Sequence, residues 1–481
     1  MQIKEKQVII LSAVILLITC IFSQGYHHLD EHFQILEFAA LKLDLTVPEN
    51  LPWEYHFQMR PSVQPAIAVV VYKTLGLVGI DSPFSVSLFL RLLSAGLSLM
   101  GMWFLYRVFS KEITHPILKK WLLLFSFLLW FLVYNSVRFS SENWSGGFFV
   151  LAFSYYFLTQ KKRFLQFLVL GIFLGFTFLF RYQAAFLVVG FLAWLTFIKR
   201  EKISNLLFSV FGILLIIGMG FLCDYWFYGE WTIAMWNYFE LNLLQDKVSV
   251  FGVESWWFYL NEFTIKTIPP FSLLFLAALP IVFYFEKKSA LTWCLFPFLL
   301  IHFLIGHKEL RFLFPIIFSL PYVLIKSIEI IQEKVLPNLM ANKGFRFFMK
   351  GFFLVNFAAL IFISFYPADN RISLYKTIYN KYEGDATLYF SAENPYDRAT
   401  GINFYKRKNL TILNSDSSGT ATFRDNKTTL FVFNQKPKNS DFAAKHELIY
   451  TSFPDWIKIF NFNGWVERSD SWYVYELRAN Y

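Results

Sequence analysis

The stretch His28-Leu29-Asp30-Glu31-His32-Phe33-Gln34 sets two adjacent carboxylates beside two histidines, directly after the first apolar segment of the chain. Ionisable groups at the edge of a long apolar run are expensive unless they are used. If a helix begins here, Asp30, Gln34 and Glu37 fall on one face at i, i+4 and i+7. Asp30 then lies near a helix N-terminus, where the peptide dipoles favour the ionised carboxylate. An ionised carboxylate facing water just outside an apolar segment is a candidate general base. The competing reading is a capped interfacial helix with solvated charges.

Further polar clusters follow. Trp53-Glu54-Tyr55, then Arg60-Pro61, offers a carboxylate, aromatics and a guanidinium suited to a hydroxylated ring and its charged neighbour; a Pro-rich aromatic belt is the alternative. Arg138, in Arg138-Phe139-Ser140-Ser141-Glu142-Asn143-Trp144, and Arg181, in Phe180-Arg181-Tyr182-Gln183, each stand at the end of an apolar segment. A phosphate would explain them, and so would an ion pair with Glu142. Asp224 opens an aromatic loop that later carries Trp256 and Trp257; it suits either a groove lining or membrane anchoring. His307-Lys308-Glu309-Leu310-Arg311 packs four ionisable side chains into five residues. Lys308 and Arg311 are donors suited to a phosphate, and His307 is placed to neutralise or protonate a leaving phosphate oxygen.

These clusters must be held by the apolar segments between them. Of 481 residues, 56% are hydrophobic and only 16% charged, whereas a soluble domain carries about 25% charged residues. Stretches near 7–24, 83–106, 121–137, 144–160, 164–180, 184–198, 204–223, 263–285, 289–305, 312–326 and 345–366 are candidate spans, eleven in all. With 64–80 kept out of the count, as an interfacial or dipping segment, the basic loops alternate regularly. They hold Lys4 and Lys6; Arg107, Lys111, Lys119 and Lys120; Lys161, Lys162 and Arg163; Lys199, Arg200 and Lys202; Lys287 and Lys288; and Lys326 to Lys350. The positive-inside rule puts these loops and the N-terminus in the cytoplasm. Every polar cluster above then falls on the opposite side. Four domains are expected: an uncleaved anchor at 1–24, an extracytoplasmic catalytic loop at 25–82, a membrane core at 83–366, and a small extracytoplasmic α/β domain at 367–481. In the last, strand-like runs appear at 386–391, 409–413, 428–433 and 472–477, and helix-like stretches at 396–407 and 454–462.

The net charge of +10 is scattered in small groups, which argues for loops at a membrane surface and against a nucleic-acid footprint. Cys20, Cys223 and Cys294 form no CxxC pattern, so neither a disulfide framework nor a zinc site is supported.

Taken together, HLDEHFQ, WEY with a following RP, FRYQ, DYWFYG, FGVESWWFY and HKELRFLFP resemble glycosyltransferase family 22 across about residues 25–320. These are GT-C enzymes that use dolichyl-phosphate mannose in GPI-anchor and N-glycan assembly. The GPI mannosyltransferase branch looks most similar. Leu29 stands where that branch usually has Pro, and Glu254 where the family often has a small residue or His; both bear on the acceptor more than on the reaction. The resemblance implies a GT-C fold and an inverting transfer of mannose from a polyprenyl- or dolichyl-phosphate donor to a lipid-linked glycan or glycolipid acceptor, among membrane lipids, with no obligatory cofactor or metal. It implies Asp30 as base, with Glu31 as the alternative. His307, Lys308 and Arg311, helped by Arg181 and Arg138, would hold the donor phosphate. His28, Gln34, Trp53, Glu54, Arg60, Asp224, Trp256 and Trp257 would contact sugar or acceptor. The site would face the periplasmic side of a bacterial plasma membrane, or the ER lumen in a eukaryote. The alternatives are a GT-C enzyme for another lipid-phosphate sugar, a lipid-linked sugar transporter, and a non-catalytic assembly subunit.

Overall fold

The computed structural model describes residues 4–160, 163–398, 400–415, 428–437, 442, 445–453, 459, 461, 464–466, 469 and 471–477. The chain forms two compact units. One comprises Met1–Ser23, Phe57–Ala66 and Leu88–Tyr366; the other comprises Gln24–His56, Ile67–Ser87 and Pro367–Tyr481.

The first unit is helical. Among the described residues, six helices are long and apolar enough to cross a membrane: Glu5–Phe22, Pro83–Phe109, Pro116–Ser136, Ile203–Tyr228, Leu310–Lys334 and Lys343–Phe365. Shorter apolar helices include Phe164–Phe180, Tyr182–Ile198, Ser272–Phe285 and Ala290–Leu304. Several segments expected as single helices are interrupted. The run 263–285 breaks at Pro269 and Pro270 into Phe258–Lys266 and Ser272–Phe285, because proline has no N–H to donate and clashes with the preceding turn. The run 121–137 breaks at Leu129, whose backbone is extended (φ −69°, ψ 127°). There Asn356 serves both loose ends: its Oδ1 accepts from Trp130 N at 3.0 Å and its Nδ2 donates to Leu128 O at 2.8 Å. Unsatisfied backbone groups in an apolar setting cost several kcal/mol, so such a break needs a partner of this kind.

Phe164–Phe180 and Ile203–Tyr228 approach through glycines. A Cβ on Gly171 would lie 2.0 Å from the Ser209 carbonyl oxygen, and one on Gly212 would lie 2.4 Å from that of Leu168. Ser209 Oγ donates across the contact to Phe167 O at 3.1 Å. Small residues are what let apolar helices associate when no hydrophobic drive separates them from lipid.

The second unit carries a five-stranded mixed sheet. Its strands are β1 (Ala386–Phe390), β2 (Leu410–Asn414), β3 (Thr428–Phe433), β4 (His446–Thr451) and β5 (Tyr473–Leu477). The order is β2-β1-β3-β5-β4. β1 runs parallel to both β2 and β3, and β5 is antiparallel to β3 and β4. Leu388, Leu430, Val432 and Val474 are buried on one face, while Phe431, Tyr473 and Tyr475 cluster with Tyr389, Phe433 and Phe442. Four of these strands match the expected runs. β4 was not anticipated, because His446–Thr451 is a partly exposed edge strand without clean alternation. The stretch 396–407 is not a helix: a bridge joins Asp397 to Gly401, and Ile402, Phe404 and Tyr405 are buried from irregular chain. Most of the helix expected at 454–462, together with Lys161 and Lys162, lies outside the described residues. The helix Val63–Gly76 and the turn after it leave Val70, Leu77 and Val78 exposed.

The glycine contact predicts that Gly171→Val and Gly212→Val each destabilise the protein by about 1–3 kcal/mol or more through overpacking. Gly218→Val, on the same helix but with nothing within 4 Å of its added Cβ, should leave stability near that of the wild type. Thermal unfolding of the detergent-purified protein would check this.

Candidate active site

The acidic stretch belongs to the second unit. His28 is extended (φ −131°, ψ 151°) and its Nδ1 accepts from Asp30 N at 3.3 Å, capping a three-residue helix, Leu29–Glu31. Glu31 Oε2 accepts from His27 N at 3.2 Å. Asp30 and Glu31 both remain partly exposed. The chain then makes a π turn, His32–Leu36, before resuming an α-helix at Glu37–Lys42. This wider turn removes the common face expected for Asp30, Gln34 and Glu37, since that register assumed 3.6 residues per turn. Gln34 Nε2 instead donates to Glu54 Oε1 at 3.0 Å, so these two candidate sugar contacts are joined to each other. Trp53 opens the short helix Trp53–His56 that carries Glu54. Glu37 is fully buried. Its Oε1 accepts from His32 Nε2 at 2.8 Å and from the backbone N–H groups of Asn403 and Phe404 at 2.8 and 2.9 Å. This pair escaped the sequence reading, and the signal for it was the five-residue spacing from His32 to Glu37, which is the hydrogen-bond spacing of a π turn.

The basic clusters belong to the first unit, where two of them meet on one carboxylate. Ser140 Oγ accepts from Asn143 N at 3.2 Å and starts the helix Ser141–Leu158. Glu142, in its first turn, is buried. Its Oε1 accepts from Arg181 Nη1 at 2.7 Å and from Arg311 Nη1 at 3.1 Å. The approach of the two elements depends on Gly146, where a Cβ would lie 2.7 Å from the Pro315 carbonyl oxygen. Arg311 also forks onto Glu309, with Nε to Oε2 at 2.6 Å and Nη2 to Oε1 at 3.0 Å. His307 Nε2 lies 3.2 Å from Glu309 Oε1, and its Nδ1 lies 2.9 Å from Gly252 O. Both guanidiniums stack near Phe312, at 4.9 Å for Arg181 and 5.2 Å for Arg311. Arg181 Nη1 also donates to Ser141 Oγ at 3.1 Å, while its Nε is buried without a hydrogen-bond partner among the described residues.

Lys308 is buried, and its ammonium points to the carbonyl oxygens of Glu254 (2.9 Å), Ile305 (2.5 Å) and Gly306 (3.4 Å). Glu254 N returns a bond to Gly306 O at 2.9 Å. Lys308 therefore clamps the loop through Glu254 onto the turn before Arg311. That burial lowers the pKa of its ammonium. Arg138 also makes contacts away from the Glu142 carboxylate. Its Nη2 donates to Ser23 O at 2.8 Å and bonds Ser23 Oγ, and its guanidinium covers the Tyr134 ring at 4.7 Å. It thus secures the end of the first helix. Asp224 is buried and accepts from Ser62 N (2.9 Å) and Ser62 Oγ (2.6 Å). Arg60 lies 5.5 Å from the Tyr238 ring. Trp256 and Trp257 are exposed and meet edge to face at 5.7 Å. Among the described residues, no group of three or more His, Cys, Asp or Glu is arranged to hold a metal ion.

Comparison with known proteins gives this arrangement a context. Over 297 residues the chain is 27% identical to GPI mannosyltransferase 3 of Candida albicans, covering 61% of this chain and 58% of that protein. It is 25% identical over 323 residues to Mannosyltransferase APTG1 of Arabidopsis thaliana, covering 64% and 56%. The matched region thus spans little more than half the length of these relatives. In fold it is similar to ArnT from Cupriavidus metallidurans, whose crystal structure is bound to undecaprenyl phosphate; the TM-score is 0.51 at 12% identity, covering 98% of this chain and 97% of that one. The sequence model described as the Alg9-like mannosyltransferase family matches residues 7–404, most of the helical unit together with the acidic stretch. On that match the chain belongs to the Alg9-like mannosyltransferase family of membrane glycosyltransferases.

Proposed function

We propose that the chain transfers a mannosyl group, with inversion, from a polyprenyl-phosphate donor to a hydroxyl of a lipid-linked glycan or glycolipid. The observation that carries this reading is the buried network on Glu142, in a chain that matches its family over residues 7–404. Three fixed cations, Arg181, Lys308 and Arg311, stand there against two carboxylates, Glu142 and Glu309. Glu254 also acts on Lys308, and His307 adds a positive charge when protonated. Guanidinium, ammonium and imidazole donors gathered in this way suit a phosphate diester with a single negative charge. The Nε of Arg181 supplies a donor that no group among the described residues uses. ArnT, the structural relative, holds undecaprenyl phosphate, which is a leaving group of the kind proposed here.

In the reaction, the acceptor oxygen attacks C1 of the sugar and the bond from C1 to the phosphate oxygen breaks. The acceptor proton passes to a carboxylate, and polyprenyl phosphate leaves with the electron pair. Asp30 is our base and Glu31 the alternative, since neighbouring residues point about 100° apart on a helix. Both are partly exposed, as a group that must meet a hydroxyl has to be. Arg181, Arg311 and His307 stabilise the charge that develops on the phosphate, and Lys308 adds its charge from the loop clamp. In this reading the N-terminus is cytoplasmic, the chain spans the membrane about eleven times, and the site lies on the extracytoplasmic face of a plasma membrane. Gln34, Glu54, Trp53 and His28, with Arg60, Asp224, Trp256 and Trp257, contribute to sugar and acceptor binding, and Arg138 supports the scaffold.

Asp30→Asn is expected to lower transfer from undecaprenyl-phosphate mannose to total membrane lipid by about 10²–10⁴-fold, the worth of a general base, while Glu31→Gln keeps most of it. Equal and undiminished transfer by both variants would sink the mechanism, and the reverse pattern would move the base to Glu31. A second expectation concerns pH. The Glu309 carboxylate, and then the Gly252 carbonyl, raise the pKa of His307 above its ordinary 6.5, against burial and the Arg311 charge. The folded protein therefore holds the proton to higher pH than the unfolded chain. The stabilisation from this contact is complete below 6.5 and is lost as pH rises through the raised value. Donor KM should rise over the same window, and His307→Gln should flatten that rise. An equally steep KM profile in His307→Gln would exclude His307 from the donor site.

A further inference from the structure

The acidic stretch is held on both sides by parts of the chain more than three hundred residues away, all within the second unit. Upstream, Gln24 O accepts from the N–H groups of Ala368 at 2.7 Å and Asp369 at 3.1 Å. Gly25 has φ +89°, and a Cβ there would lie 2.6 Å from Asp369 Cβ, so only glycine allows the chain this close. Arg398 Nη1 then bonds both Asp369 Oδ2, at 2.7 Å, and the Tyr26 hydroxyl, at 3.2 Å. Downstream, the buried Glu37 oxygen gathers His32 Nε2 and the backbone N–H groups of Asn403 and Phe404. The His32 imidazole is stacked between two rings, Tyr26 at 5.2 Å and Tyr405 at 5.4 Å. Tyr26 thus belongs to both anchors, and the five residues from His27 to Glu31 are strung between them.

His32 and Glu37 have no solvent exposure, so neither reaches a substrate hydroxyl. Each is nonetheless a polar side chain in a place where polar side chains are disfavoured. We propose that His32, Glu37 and Arg398 are positioning residues, and that residues 368–369, 398 and 400–405 form a frame that fixes Asp30 and Glu31 in the orientation catalysis needs. The C-terminal sheet domain is then part of the catalytic apparatus, acting through the acidic pair. This rests on the reading of that pair as the source of the base. A displacement of about 1 Å at a reacting group can cost about 10²-fold in rate. A frame of this kind changes turnover and leaves the cationic donor site of the other unit untouched.

The test uses the full-length protein in detergent with lipid, undecaprenyl-phosphate mannose as donor, and total membrane lipid as acceptor. Glu37→Gln keeps the shape of the buried side chain, and Arg398→Gln changes a partly exposed side chain on the opposite anchor, so the two do not share a folding hazard. For both we expect faster hydrogen exchange over residues 27–31 and unchanged exchange in the Phe164–Phe180 helix. We expect kcat to fall about 10- to 100-fold with donor KM within about twofold of the wild type. Because the frame acts through the base, Glu37→Gln should cost nothing further in an Asp30→Asn background, whereas a merely structural loss would multiply. Unchanged exchange over 27–31, wild-type kcat in both variants, or multiplicative loss in the Asp30→Asn background would each overturn the proposal. Wild-type transfer by both Asp30→Asn and Glu31→Gln would overturn the reading of the acidic pair and the proposal with it. Loss in either of those, beside full activity in Glu37→Gln and Arg398→Gln, would overturn the proposal alone.

Discussion

One oxygen atom of Glu142 receives hydrogen bonds from two guanidiniums, with all three side chains buried. The attraction between such charges is far stronger there than in water, and so is the penalty for leaving one of them unpaired. Three elements converge on that atom: the start of Ser141–Leu158, the residue ending Phe164–Phe180, and the 3₁₀ segment Leu310–Ser319. Without Glu142, two buried cations would face each other across a few ångströms. The close seat of Gly146 on Pro315, the Lys308 clamp and the fork from Arg311 to Glu309 all serve to keep that arrangement in register.

The network also separates two uses of arginine that look alike in the sequence. Arg138 and Arg181 both stand at the ends of apolar segments, and an ion pair with Glu142 was an open reading for each. Arg181 makes that pair, and Arg138 holds Ser23 and covers the Tyr134 ring. Nothing local distinguishes them, because the choice depends on what the fold brings to each side chain. Lys308 follows the same logic: its ammonium takes the backbone carbonyls beside it, while its neighbours Arg311 and His307 meet the carboxylate of Glu309.

Much of the architecture was legible from patterns that do not depend on distant contacts. The apolar runs located the helices, and alternation located four of the five strands. The motifs from His28 to Arg311 resemble those of the family, and the match over residues 7–404 agrees. What escaped was decided by pairing across the chain. The π turn at His32–Leu36 is held by a carboxylate whose other donors come from residues 403 and 404. The stretch 396–407 has the apolar content of a helix, but its buried tyrosines, Tyr396 and Tyr405, are set by rings at Phe84 and Tyr375. A period of 3.6 residues can be read from a window of sequence; a partner three hundred residues away cannot.

The break at Leu129 illustrates what such distance means in time. Asn356 both donates to Leu128 and accepts from Trp130, and no hydrophobic, purely basic or ionised acidic side chain can do both. Yet it lies 226 residues downstream of the N–H it serves. Chains are made from the N-terminus, at about 5–20 residues per second. For many seconds after synthesis, the segment Pro116–Ser136 exists without the side chain that completes its bend. It must either enter the bilayer as a continuous helix and fold at the break later, or be sheltered until Lys343–Phe365 arrives. The helical unit is therefore a structure whose middle is finished only after its end has been made.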